Sequence, residues 1–241
     1  MLQTNTFRFF IQLLTQLTIA FLASCAVPVP LQKHTVMGSD QTGYNNLMLT
    51  LQTETETPAF HIKLFTIRHA DCVSGSIDYV EFDGAINKES LSAFESVLIE
   101  AQGCKNSKGT ALYPFVYLNS SVGEYSDGYT LGEMLRKFKI ETIVTQGQTC
   151  KGACAVAFLG GRLRLIRDNG VIVFASNKCK GIGMDCERAT NQITLRNYLE
   201  RMIGVVYSEP LYFNLMSHCV QPSGLSVDRL TSYERGVTNE K

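Results

Sequence analysis

The chain has 241 residues, enough for one domain with a full core or for two small ones. Hydrophobic residues make up 45% and charged residues 18%, the mixture of an ordinary globular protein. Its 22 basic residues balance 22 acidic ones, so no net field gathers nucleic acid or steers an ionic substrate, and a nucleic-acid partner is excluded from the reading.

Residues 1–24 read as a secretory signal peptide. One basic residue, Arg8, precedes an apolar stretch from Phe9 to Ala23, diluted by Gln12, Thr15, Gln16 and Thr18, and small residues follow. Its end, Leu22-Ala23-Ser24-Cys25, resembles the bacterial lipobox, in which the cysteine is lipidated and becomes the new N-terminus. Each buried methylene of a lipid chain contributes about 0.8 kcal/mol, so several chains on Cys25 would hold the protein on a membrane. Ala26 follows where an inner-membrane retention signal places Asp. The expected location is therefore the cell envelope, at the periplasmic face of the outer membrane. No later apolar run reaches the ~20 residues that a membrane span needs.

Seven cysteines remain beyond Cys25, and an oxidising periplasm favours pairing among them. The count is odd, so at least one thiol stays free or pairs with another chain. Cys179 and Cys186 enclose the short loop CKGIGMDC and are the best local disulfide candidates. The other five stay unassigned. No CxxC pair occurs and the four histidines are scattered, so neither a metal nor a cofactor is expected.

From Ala26 to Pro58 the composition is polar and weakly periodic. With Cys25 it reads as a tether over 25–58, although Leu47–Leu51 could add an edge strand. The folded domain is placed at 59–241. Phe60–Ile67 and Tyr79–Phe82 read as strands, and Asn87 as the cap of a helix whose Leu91, Phe94, Leu98 and Ala101 share one face. Phe115–Leu118 is a buried strand, and Leu131, Met134, Leu135 and Phe138 mark a second amphipathic helix. Ile140–Val144 is a strand, followed by the bend CKGACAVAFLGG (Cys150–Gly161) and a short apolar helix. Arg162–Ile166 and Val171–Ala175 read as strands, and Leu195, Tyr198, Leu199 and Met202 lie at helical spacing. The alternation predicts an α/β domain with largely parallel sheets flanked by helices.

Three stretches in this order, YVEFDGAINKESLSAFESVLIEA, VYLNSSVGEYSDGYTLGEMLRKF and ETIVTQGQTCKGACAVAFLGGRLRLI, resemble the Clp protease proteolytic subunit, and most of all its exported bacterial relatives. The resemblance runs from about residue 77 to 237. It implies a ClpP/crotonase-like spiral of βαβ units, serine peptidase chemistry in active members, and assembly into a homo-oligomer.

That chemistry requires a hydroxyl at a helix start, an imidazole to take its proton, a carboxylate behind the imidazole, and backbone N–H groups for the oxyanion. On the resemblance, the nucleophile falls at Gly152, which has no side chain. The base falls at Ala175, or at Ser176 in a register shifted by one. The oxyanion turn is Asn119-Ser120-Ser121-Val122-Gly123, with Val122 where the family has Gly. Asp228 matches the orienting carboxylate, but without a histidine it orients nothing.

Sharper alternatives exist at the same bend. Cys150 or Cys154 could act as a thiolate at a helix start, against the plainer reading of buried or disulfide cysteines. Arg162, Arg164 and Arg167 could form an anion site, against the plainer reading of a solvated face. The resulting reading is a membrane-anchored lipoprotein with a degenerate ClpP-like peptidase fold, serving as a non-catalytic binding or assembly module. Its partners would be an envelope protein or peptide. The alternative is a periplasmic hydrolase whose nucleophile and base lie elsewhere.

Overall fold

The computed structural model describes residues 34–36, 49–175, 192–218, 225–227 and 232–239, all within one compact unit. Cys25, Cys179, Cys186, Ser176 and Asp228 lie outside the described residues.

The chain enters the sheet earlier than its composition suggests. After β1 (His34–Val36), strand β2 (Leu49–Glu56) pairs antiparallel with β3 (Phe60–Arg68), although the polar stretch 25–58 reads as a tether. The sheet thus begins well before residue 59. Its sequence LTLQTETE alternates with period two, which is strand patterning with polar residues on one face. The turn between β2 and β3 is fixed by Thr57, whose N–H donates to Phe60 O at 2.9 Å while its Oγ1 accepts from Phe60 N at 3.1 Å. Strand β4 (Ser76–Gly84) completes an antiparallel meander.

From β4 onward the main sheet is parallel. β7 (Phe115–Asn119), β8 (Glu141–Val144) and β10 (Arg164–Ile166) follow in space, giving seven strands in the order β1-β2-β3-β4-β7-β8-β10. The short hairpin β5 (Cys104–Lys105) and β6 (Ala111–Leu112) stands apart, joined to the turn before β4 by the Cys72–Cys104 disulfide.

A second sheet of three strands holds β9 (Thr149–Lys151), β11 (Val171–Phe174) and β12 (Leu225–Val227), with β11 between the other two. Twice the chain leaves the main sheet and enters the small one after a short connection, from β8 to β9 and from β10 to β11. The two sheets meet at a single parallel bridge, Ser120 with Cys150. Asn119 braces it from both sides: its Oδ1 accepts from Thr149 N at 3.0 Å and its Nδ2 donates to Asp83 Oδ2 at 2.9 Å.

Five helices stand among the described residues. Helix α1 (Lys88–Glu100) starts at a capping box in which Asn87 Oδ1 accepts from Ser90 N and Ser90 Oγ accepts from Asn87 N. It buries Leu91, Phe94, Val97 and Leu98, and Phe94 meets Phe82 edge-to-face at 5.4 Å. Helix α2 (Tyr125–Lys137) packs on α3 (Ala153–Phe158) through Gly128 and Gly132, where a side chain would collide with Ala153 O, Val156 and Tyr198. Every residue of α3 is buried, so its all-apolar sequence is that of a helix inside the core. Helix α4 (Gln192–Ile203) buries Leu195, Tyr198, Leu199 and Met202, the stripe read from spacing. Gly204 separates it from α5 (Val205–His218), and Arg196 binds Glu209 through two contacts of 2.6 Å across that junction. A solvent-screened pair of this kind adds little, so the junction is held mainly by packing.

Candidate functional site

The bend is built by three elements. Strand β9 delivers Cys150 and Lys151 beside Ser120, Gly152 makes the corner, and α3 begins at Ala153. Gly152 has φ 62° and ψ −113°, a backbone conformation that L side chains rarely adopt. Its N–H donates to Val173 O at 2.9 Å, and its carbonyl accepts the first intrahelical bond, from Val156 N at 3.2 Å. The corner therefore presents to its surroundings the one position where a side chain would stand, and that position has only hydrogen. A Cβ built there would lie 2.9 Å from the carbonyl oxygen of Ala175.

Gly152 and Ala175 are thus brought together, and neither carries a reactive group. The turn 119–123 lies alongside. Ser120 Oγ donates to Val122 O at 3.2 Å, and Val122 O also accepts from Ile86 N at 2.9 Å. Ser120 is a buried turn hydroxyl whose proton is already committed. Gly123, at φ 152°, sits so close to α3 that a Cβ would fall 2.8 Å from Ala153 Cβ and 2.7 Å from Ile86 O. Val122 keeps its side chain 56% exposed, so a valine fits a turn whose close contacts are all made by its neighbour. The turn is held against the helix start by Gly123.

Cys150 and Cys154 are joined in a disulfide, with Cα atoms 5.0 Å apart, and both are fully buried. Sulfur held in this bond cannot attack a carbonyl, which removes the thiolate alternative in this state. The bond also ties the end of β9 to the first turn of α3, across the corner itself.

The histidines whose side chains are described are engaged elsewhere: His61 Nε2 lies 2.7 Å from Glu54 Oε1, and His69 Nδ1 accepts from Asp71 N at 3.3 Å.

The arginines near β10 do not make an anion site. Arg162 is exposed, pairs with Glu141 at 3.3 Å and lies over the Tyr113 ring at 4.1 Å. Arg167 is also exposed. Arg164 points inward, against the expectation of a solvated face. Its guanidinium donates to the carbonyls of Val237, Gly161 and Gly236. Burial, with Arg136 adding repulsion, lowers its pKa to about 10.

One cluster escapes a reading of the sequence. Glu54 and Glu56 of β2 and His61 of β3 share the solvent face at the end of the hairpin, their ligand atoms all within 4.8 Å of one another. The hydrogen bond from His61 holds the Glu54 carboxyl below its ordinary range, against the opposing effect of burial, and Lys63 adds to the lowering. The period-two alternation of LTLQTETE is the signal that could have placed these carboxylates opposite a histidine.

No protein-family model matches the chain, and no curated protein sequence matches it. Among solved structures, the ClpP protease catalytic domain from Plasmodium falciparum is similar at 16% identity and a TM-score of 0.46, over 66% of this chain and 80% of that one. A mutant of the 1510-N membrane-bound stomatin-specific protease is similar at 13% identity and a TM-score of 0.47, over 66% of this chain and 75% of that one. At such levels the overlap says nothing of activity.

Proposed function

We propose that this chain is a ClpP-like domain without peptidase chemistry, held at the periplasmic face of the outer membrane by lipid on Cys25 and acting as a binding or assembly module. The observation that carries the first part is the pairing of Gly152 with Ala175, a corner and an opposing strand end with no nucleophile and no base. Two further features support it: the bend's cysteines are consumed in a disulfide, and the neighbouring turn carries Val122. The anchor is supported by the sequence Leu22-Ala23-Ser24-Cys25 behind an apolar stretch. A binding role is supported by the exposed Val122 beside the corner, which offers an apolar contact to a peptide or protein partner.

The test combines a serine-reactive fluorophosphonate, a thiol-reactive probe and a peptide library, applied to wild type and to Gly152→Ser. Neither protein should label with the fluorophosphonate, show thiol labelling that a peptide blocks, or cleave peptide, because adding a hydroxyl supplies no proton acceptor. Peptidase activity in either one refutes the reading. For the anchor, Cys25→Ser should move the protein from the membrane fraction to the soluble one; unchanged fractionation removes that part alone.

A further inference from the structure

The geometry points to a zinc(II) site on the β2–β3 hairpin, with His61 Nε2 and the carboxylates of Glu54 and Glu56 as protein ligands and water completing the coordination. It uses none of the residues that build the corner at Gly152 and is independent of whether that corner is catalytic.

The hairpin register assembles the ligands. Glu56 and His61 are direct cross-strand partners, and Glu54, two positions before Glu56, shares their face opposite Lys63. Tetrahedral zinc with bonds of about 2.0–2.1 Å spaces its ligand atoms about 3.3 Å apart. The His61 Nε2 and Glu54 Oε1 atoms now stand 2.7 Å apart, and all three donors fall within 4.8 Å. Rotamer adjustments of side chains that are not fully buried therefore suffice, with no backbone movement. The turn is already ordered by the Thr57 hydrogen bonds, so little chain entropy remains to be lost on binding.

The donor set favours a borderline transition ion over a hard one. An imidazole nitrogen with two carboxylates suits zinc, whereas calcium takes six to eight oxygen ligands and magnesium keeps most of its water. Lys63 is the competing cation, its Nζ 3.5 Å from Glu54 Oε1. That pair is partly exposed, and the flexible lysine stem can swing aside. When zinc binds, the hydrogen bond between His61 and Glu54 is replaced by two metal bonds, with the His61 proton carried on Nδ1. Two carboxylates and a neutral imidazole balance the charge of one divalent ion.

The experiment is a zinc titration against a chromogenic chelator, on the full chain with free thiols alkylated so that no cysteine competes. Wild type is compared with His61→Ala, Glu56→Gln and His69→Ala, each checked for an unchanged circular-dichroism spectrum. We expect His61→Ala and Glu56→Gln to weaken zinc binding at least ~10-fold, the scale of losing even an outer-sphere partner, and His69→Ala to leave it unchanged. Zinc binding equal to wild type in either of the first two variants overturns the site, as does displacement of the zinc by an equal concentration of calcium.

Discussion

Arg164 Nε donates to the carbonyl of Val237 at 2.8 Å, joining residues 73 positions apart in the chain. The backbone N–H of Arg164 also donates to Asn239 Oδ1 at 2.8 Å, and Asn239 Nδ2 returns a bond of the same length to Arg162 O. The edge of the main sheet at β10 is thereby covered by residues 236–239, which removes an open strand edge. Arg164→Met keeps the length of the stem and deletes three donors, leaving buried carbonyls without partners. We expect a loss of about 1–3 kcal/mol in urea unfolding, moderated because a desolvated charge is removed at the same time. Amide exchange at Val237 and Thr238 should rise together with it, and an unshifted midpoint would contradict the role given to this residue.

The two disulfides should differ in worth. Cys72–Cys104 closes a loop over a separation of 32 residues and Cys150–Cys154 over only 4. Loop-closure entropy assigns about 4 kcal/mol to the first and about 2 kcal/mol to the second. Thermal melts of Cys104→Ala and Cys154→Ala should follow that order after allowance for the full burial of Cys154. Peptide mapping without reductant should recover both linked pairs. A free, alkylatable Cys150 would return the thiolate to consideration.

Gly132 is predicted to be nearly irreplaceable. A methyl group there would overlap the Tyr198 hydroxyl, which donates to Val156 O at 2.7 Å inside the core. Gly132→Ala should cost about 1–3 kcal/mol through overpacking, plus the displaced hydrogen bond. Adding Tyr198→Phe should recover part of that loss, and this non-additivity distinguishes a local clash from a general weakening of the helix.

Alkali should expose at least three of the ten tyrosines late. Burial raises the pKa values of Tyr125 and Tyr198, and it raises that of Tyr129 with help from Tyr125. Each is an acid whose neutral form is favoured by folding. The stability it contributes is complete below the ordinary value of 10.0 and is lost as the pH climbs above it. Phenolate absorbance should therefore show at least three groups titrating together with unfolding, whereas smooth titration of all ten before any loss of structure would refute the burial argument.

The alternating part of the chain is legible in the sequence because its elements are strongly patterned. The stripe Leu91, Phe94, Leu98 and the stripe Leu195, Tyr198, Leu199, Met202 both end up against the core. The position of the corner at Gly152 is equally readable, since a run of small residues before an apolar helix has few other uses. What fails is whatever depends on pairing between distant segments. Residues 49–56 are polar enough to pass as a tether, and only the partner strand 60–68 makes them β. Strand β9 is three residues long and gains its identity from β11 and Ser120. Arg164 reads as a surface charge until the carbonyls of Gly236 and Val237 are seen to close over it. Cysteine partners 32 residues apart leave no local signature at all.

The six-residue helix α3 has no exposed position, and this limits what its sequence can say about activity. An interior segment is selected by the volume available to it, so alanines and glycines there would persist through any number of changes in occupation. The run Cys150–Gly161 accordingly specifies a mould for the protein interior, and such a mould is indifferent to whatever work the surface above it performs.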